Sequence, residues 1–187
     1  MVYAQILFVV ETNDLIKSDD FYYSWIIRQF YGAYVSNQGF ENIRISYGFI
    51  HMDGKTNYKK KRVVDDIKTK TKMFSDGKTF IVYCIDHDNS STLNKAFVSE
   101  VQAYCKDNGY YFVVCYREIE DVLHVPNAPS KTMRVRLFAK KPPKRDVINK
   151  TSLSVGLTSI TNKIGLTNIM LVLDEILLII KKPKQRQ

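Results

Sequence analysis

Residues 79–88, TFIVYCIDHD, form an apolar run that ends in two aspartates, Asp86 and Asp88. A second apolar run, residues 5–10 (QILFVV), ends in the same way at Glu11. Short apolar runs of this kind are typical of buried strands in a parallel sheet. If the two strands are neighbours, Glu11, Asp86 and Asp88 meet at one carboxyl edge, which is where sites form in open α/β sheets.

The N-terminal two thirds of the chain alternate between strand and helix patterns. Strands are predicted over residues 4–10, 42–51, 79–85 and 110–116, and helices over residues 19–34, 59–74 and 92–108. Ser18 or Asp19 is a suitable N-cap for the first helix, and Asn108-Gly109 is a suitable end for the third. This order predicts a three-layer α/β fold with a mostly parallel, four-stranded, Rossmann-like sheet.

The pattern changes after residue 125, where prolines at positions 126 and 129 interrupt it. We therefore divide the chain into an α/β domain, residues 1–125, and a C-terminal extension, residues 126–187. The extension is predicted to be a basic loop followed by helix from about residue 145 to 182. Its apolar run, residues 169–180, is expected to pack on the domain or on a partner subunit, which makes a homodimer one candidate assembly. The run is shorter than the roughly 18 apolar residues that a membrane helix needs, so no membrane partner is expected.

The 28 basic residues outnumber the 19 acidic ones, and they are concentrated in two stretches. Residues 55–72 and residues 131–150 each contain eight Lys or Arg. Such clustering favours a polyanionic partner, DNA or RNA, over two merely solvated faces, which is the alternative. The candidate nucleic-acid-binding residues are Lys59, Lys60, Lys61, Arg62, Arg134 and Arg136.

The three cysteines, Cys84, Cys105 and Cys115, are scattered, and two of them lie inside apolar runs. This is expected of reduced core thiols in a cytoplasmic protein. The N-terminus also lacks the basic start and cleavage site of a signal peptide.

The carboxylates at the ends of the two apolar runs are the main candidates for chemistry. Asp86 and Asp88 are two residues apart, so both side chains can reach one site, and Glu11 can supply a third ligand or act as a base. Clustered carboxylates are the ligands expected for Mg²⁺ or Mn²⁺. The alternative is that the aspartates cap the following loop, where His87 would be an exposed loop residue.

A glutamate after the first strand and an Asp-x-Asp after a later one resemble the TOPRIM domain of topoisomerases, primases and OLD-type nucleases. The match is closer to small stand-alone TOPRIM proteins of the RloB-like kind, which are associated with antiviral defence of bacteria against phage. The matching segments are Val9-Val-Glu11, Phe21-Tyr-Tyr-Ser-Trp25, Ile85-Asp-His-Asp88 and Tyr116-Arg-Glu-Ile-Glu-Asp-Val-Leu-His124. Where TOPRIM proteins have a glycine after the first glutamate, this chain has Thr12.

This resemblance implies a magnesium-dependent hydrolase, a nuclease that cuts or nicks DNA or RNA. It adds an acidic position after the fourth strand, for which Glu118 and Glu120 are both candidates. The alternative function is a non-catalytic nucleic-acid-binding or regulatory TOPRIM subunit that works with a partner ATPase.

Overall fold

The computed structural model describes residues 1–13, 15, 17–36, 42–88, 91–145, 148, 152–157 and 164–182. Its centre is a sheet of four parallel strands in the order β2-β1-β3-β4. The strands are β1 (Val2–Val10), β2 (Ile43–His51), β3 (Gly77–His87) and β4 (Tyr111–Tyr116). The predicted α/β fold class is thereby confirmed.

The first three helices alternate with the strands as predicted, and three more follow the last strand. They are α1 (Ser18–Val35), α2 (Lys61–Met73), α3 (Thr92–Asp107), α4 (Ile119–Val122), α5 (Lys131–Lys140) and α6 (Ile169–Lys181). A short 3₁₀ turn, Lys55–Asn57, precedes α2. Among the residues described, none of the helices is long and apolar enough to cross a membrane.

The alternation of side chains along each strand divides the core into two layers. On β1, Ala4, Ile6 and Phe8 face the layer that contains α1, α4, α5 and α6. Leu7 and Val9 face the layer that contains α2 and α3. Because both faces are covered, β1, β3 and β4 contain continuous apolar runs. Strand β2, at the edge of the sheet, is less buried and includes Arg44 and Ser46.

Two predicted boundaries around the site differ from the structure. Strand β3 continues past residue 85 and includes Asp86 and His87, which are hydrogen-bonded to β4 as far as Tyr116. Helix α1 begins at Ser18, with Lys17 in the cap position at φ 48°. Neither Ser18 nor Asp19 is therefore the N-cap, and both lie in the first helical turn.

The C-terminal region differs most from the prediction. Residues 131–140 form helix α5 rather than a loop. Residues 152–156 are turns and bends rather than helix. Gly165, at φ 80°, helps to make the turn that leads into an antiparallel bridge between Thr167 and Cys115. Serine, threonine and glycine favour turns over helix interiors, which explains why the helix begins only at Ile169.

The segment before α6 closes the outer edge of β4. The side chain of Asn168 accepts a hydrogen bond from the N–H of Val114 at 2.9 Å and donates one to the carbonyl of Phe112 at 2.8 Å. From there α6 packs into the same core layer as α1, and Asp174 accepts a hydrogen bond from the Tyr31 hydroxyl at 2.5 Å. One amide side chain thus satisfies backbone groups that a fifth strand would otherwise pair with.

Candidate functional site

The structure brings Glu11 and Asp86 together at the carboxyl edge of the sheet. Glu11 directly follows β1, and Asp86 is the last residue but one of the neighbouring strand β3. The N–H of Asp86 donates a hydrogen bond to Oε1 of Glu11 at 2.7 Å. The sheet order β1-β3 is what makes this contact, since residues that end adjacent parallel strands lie side by side.

Asp19 joins these two residues from the first turn of α1. Its carboxylate accepts hydrogen bonds from the N–H of Thr12 and from the Ser18 hydroxyl, each at 3.3 Å. It is 6% exposed, which is unusual for an aspartate. The sequence interpretation treated Asp19 only as a helix cap, because a single aspartate at a helix start carries no signal of a site.

Glu120, on α4, completes a group of four acidic side chains, Glu11, Asp19, Asp86 and Glu120, here called the carboxylate cluster. Glu120 is 3% exposed, and among the described residues neither of its carboxylate oxygens has a hydrogen-bond partner outside its own residue. Glu118 lies at the rim instead and accepts a hydrogen bond from Arg134 at 3.0 Å. Of the two alternative glutamates, the structure therefore places Glu120 with the cluster.

Burial and the mutual repulsion of the carboxylates raise the pKa values of this cluster. Burial raises the pKa of Glu11 to about 7, although the Asp86 N–H and the charge of Lys55 oppose the shift. Burial also raises the pKa of Asp86, and the nearby charges of Glu11, Asp19 and Glu120 raise it further. A metal-free cluster of this kind is protonated in part near neutral pH, and a divalent cation would have to displace those protons.

Lys131, the first residue of α5, acts by its charge on three members of the cluster, which are Asp19, Asp86 and Glu120. Partial burial alone would lower the pKa of Lys131, but the carboxylates of Glu120, Asp19 and Asp86 raise it overall. In the same way, the charge of Lys131 opposes the rise in the pKa of Asp19. Helix α5 therefore carries a positive charge to the edge of the cluster.

Asp88 lies one residue beyond β3, on the exposed side of the cluster, and its charge contributes to the raised pKa of Glu11. The side chain of Asp88 is 48% exposed and forms an ion pair with Lys55, which also donates a hydrogen bond to Asn94 at 3.0 Å.

His87, predicted to be an exposed loop residue, is in fact buried at the end of β3. Its ring stacks on the ring of Tyr116, with the two ring centroids 5.4 Å apart. The strand alternation explains this, because His87 faces the opposite side of the sheet from Asp86.

An open cleft of about 370 Å³ connects Asp88 to the α4 side of the cluster. It is lined mainly by charged residues, which are Asp88, Arg117, Glu118, Glu120, Asp121 and Arg134. Arg117 is exposed and has φ 69°, a left-handed conformation that is uncommon for residues other than glycine. Strained residues of this kind concentrate at functional sites, and sequence patterns do not reveal them.

The predicted basic residues lie on two sides of this edge. Lys59 pairs with Glu100 at 2.9 Å, and Arg62 donates a hydrogen bond to the carbonyl of His51 at 2.9 Å. Lys60 and Lys61 are exposed at the start of α2. On α5, Arg136 is exposed, whereas Arg134 is engaged by Glu118 and Asn127.

Within the part of the chain that the structure describes, no group of three or more His, Cys, Asp or Glu side chains is arranged to hold a metal ion. The chemistry of the donors nevertheless fits a hard cation. Glu120 has two buried oxygens without an outside partner, and the other cluster members are carboxylates with raised pKa values. Oxygen ligands of this kind suit Mg²⁺ and Mn²⁺ rather than soft metals.

Comparisons of the chain with protein-family models, with curated proteins and with solved structures gave no match. The resemblance to TOPRIM proteins therefore rests on the sequence motifs alone.

Proposed function

We propose that the chain is a metal-dependent nuclease that cleaves phosphodiester bonds of DNA or RNA at the carboxylate cluster. One observation carries this proposal: at the carboxyl edge of a parallel sheet, the charges of Glu11, Asp19 and Glu120 all act on Asp86 and raise its pKa. Such a group is costly to fold around, since burial and mutual repulsion both disfavour the charged forms. Binding of Mg²⁺ or Mn²⁺ is the chemistry that best offsets that cost.

Asp86 is a proposed ligand, with Glu120 and the exposed Asp88 completing the set, and Glu11 would serve either as a further ligand or, in place of that, as a base. A divalent cation bound there would polarise a phosphodiester and lower the pKa of an attacking water. Lys131 would stabilise negative charge that develops on the phosphate. The exposed Lys60 and Lys61 would hold the strand through its other phosphates.

The TOPRIM resemblance supports the same chemistry and suggests a role in defence against phage.

A second candidate function is a non-catalytic, nucleic-acid-binding or regulatory subunit that works with a partner ATPase. The ion pair between Lys55 and Asp88 favours this alternative, because a lysine ammonium there neutralises a proposed metal ligand without any metal.

The test is a cleavage assay of purified protein with Mn²⁺ or Mg²⁺ on plasmid DNA, single-stranded DNA and tRNA. Cleavage that EDTA stops, and that Asp86→Ala and Asp88→Ala abolish, is the expected result. Asp107→Ala is the matched control, since Asp107 is exposed at the far end of α3. Metal-independent binding without cleavage would support the regulatory alternative, and variants that cleave normally would place the site elsewhere.

A further inference from the structure

A groove between α1 and α5 opens next to the carboxylate cluster and has a volume of about 450 Å³. Its walls combine the aromatic side chains of Phe21, Trp25 and Phe138 with the cationic side chains of Lys17 and Arg28. We propose that this groove takes an unpaired nucleobase of the substrate, so that the preferred substrate is single-stranded or looped nucleic acid. The inference rests on the proposed function and adds a substrate class to it.

The aromatic part of the groove offers a ring face to a ligand. Phe21 is 43% exposed although it is a large apolar residue on a helix beside the site. It is held in place by an edge-to-face contact with Phe138, whose ring lies 6.3 Å away. Phe138 is in turn fully buried and contacts Trp25, with the two ring centroids 5.7 Å apart. An exposed ring that packs on buried aromatic side chains is the kind of surface on which single-stranded nucleic acids stack their bases.

The charged part of the groove matches a nucleotide better than it matches a purely apolar ligand. Lys17 and Arg28 supply positive charge along α1, as a phosphate backbone requires. Asp20 also lines the groove, and His51 holds its carboxylate at 2.8 Å. A carboxylate in this position can accept hydrogen bonds from the Watson–Crick edge of a base, whose N–H donors are fully available only when the base is unpaired.

The groove is also close enough to the cluster for one strand to occupy both. Asp19 belongs to the cluster, and Asp20 and Phe21, the next two residues of the same helical turn, line the groove. Successive residues of a helix are about 100° apart, so Asp20 and Phe21 lie about 100° and about 200° around α1 from Asp19. A helix with its side chains is about 10–12 Å across, so a strand whose phosphate reaches Glu11 and Asp86 would pass around the start of α1, past Asp20, to place a nearby base against Phe21.

Trp25 makes the proposal directly measurable, because it is the single tryptophan of the chain. Its fluorescence should change when a single-stranded oligonucleotide binds in Ca²⁺ buffer, which serves as a non-cleaving test condition, and should change little with a blunt duplex of the same sequence. Affinity is measured in parallel by anisotropy of a labelled oligonucleotide. Loss of one stacked base corresponds to about 1–3 kcal/mol, or roughly 5- to 150-fold in affinity.

We expect Phe21→Leu to weaken binding of the single strand about fivefold or more, to leave duplex binding within about twofold, and to be rescued by Phe21→Tyr. Tyr3→Leu is the matched control, since Tyr3 is an exposed aromatic residue at the opposite edge of the sheet. Two results would overturn the groove proposal alone. The first is that Phe21→Leu and Tyr3→Leu bind the single strand with equal affinity. The second is that Trp25 fluorescence does not change when the protein is saturated with the single strand. Failure of the unaltered protein to bind any nucleic acid would overturn the proposed function, and this inference with it.

Discussion

The main-chain N–H of Asp86 donates a 2.7 Å hydrogen bond to the carboxylate of Glu11, so a proposed metal ligand also ties β3 to the end of β1. The contact orients one oxygen of Glu11 toward the neighbouring strand. Because the same carboxyl group is buried, its charge is costly to the fold, and its protonation affects stability as well as chemistry.

The first prediction concerns the pH dependence of stability without metal. Burial raises the pKa of Glu11 from 4.5 to about 7 in the folded protein, so the folded state binds this proton more tightly than the unfolded state does. The resulting stabilisation is complete below about pH 4.5 and is lost as the pH rises to about 7. In urea unfolding with EDTA, the stability of the unaltered protein should fall relative to that of Glu11→Gln between pH 5 and pH 7.

The exposed Glu175 on α6 provides the control for that comparison. Glu175→Gln should follow the unaltered protein at every pH. If Glu11→Gln also runs parallel to the unaltered protein, the Glu11 proton does not contribute to stability, and its placement in the buried cluster is wrong.

The second prediction separates Glu118 from Glu120. At pH 8 without metal, Glu120→Gln should raise the melting temperature, because it removes a buried charge that lies among other carboxylates. Glu118→Gln should lower the melting temperature slightly, because it removes a partly exposed ion pair with Arg134. Such a pair contributes up to about 1 kcal/mol to the free energy of unfolding. Calorimetric titration with Mn²⁺ should then show weaker binding to Glu120→Gln than to Glu118→Gln. The reverse order of affinities would assign the fourth acidic position to Glu118.

The third prediction concerns the basic residues at the start of α2. Lys60 and Lys61 are exposed, whereas Lys59 and Arg62 already have protein partners. Replacing Lys60 and Lys61 by Ser should therefore reduce the slope of log affinity against log salt by about 2, since each duplex phosphate contact contributes about −0.9. Affinity should fall alike for different sequences, because phosphates carry no base information.

Lys78 and Lys106, at the opposite edge of the sheet, are the matched pair for that experiment. Their replacement by Ser should leave the slope nearly unchanged. If both double variants reduce the slope equally, binding follows net charge alone, and the start of α2 is only a solvated face.

The fourth prediction concerns the edge of β4. Asn168→Ala removes two buried hydrogen bonds and leaves the Val114 N–H and the Phe112 carbonyl without them, at about 1–3 kcal/mol for each group. We expect a loss of about 2–5 kcal/mol in urea unfolding, together with association of the variant at high concentration in light scattering. Asn108→Ala, which removes an exposed hydrogen bond to Tyr104, should cost far less. Similar costs for the two variants would show that Asn168 does not protect the edge.

The fold class was predictable because the apolar runs and the helix patterns are local signals. Strands β1, β3 and β4 are covered on both faces, so each contains a continuous apolar run, and α1, α2 and α3 alternate with the strands. The C-terminal region was predicted less well, since the turns at residues 152–156 are stabilised by distant contacts. One example is the hydrogen bond from Val155 N–H to the carbonyl of Thr167.

The candidate site was predictable from the ends of two apolar strands and, for Glu120, from the resemblance to TOPRIM proteins. Glu11 and Asp86 follow directly from the two apolar runs and the sheet order. Asp19 comes from a helix start and Lys131 from beyond residue 125, and neither position carries a local pattern that distinguishes it from a capping or solvated residue. Their role depends on packing between elements far apart in sequence, which only the fold reveals.

Helix α5 is attached to the rest of the protein by little apolar surface, and this affects how the site can be regulated. Phe138 is its one fully buried side chain, and prolines 126, 129, 142 and 143 flank it. Opening this helix would expose far less apolar area than unfolding the sheet, so its amide hydrogens should exchange with solvent at a lower free-energy cost than those of β1 or β3. Local opening of α5 would therefore separate Lys131 from Glu11 and Asp86 while the strands that carry these carboxylates stay intact.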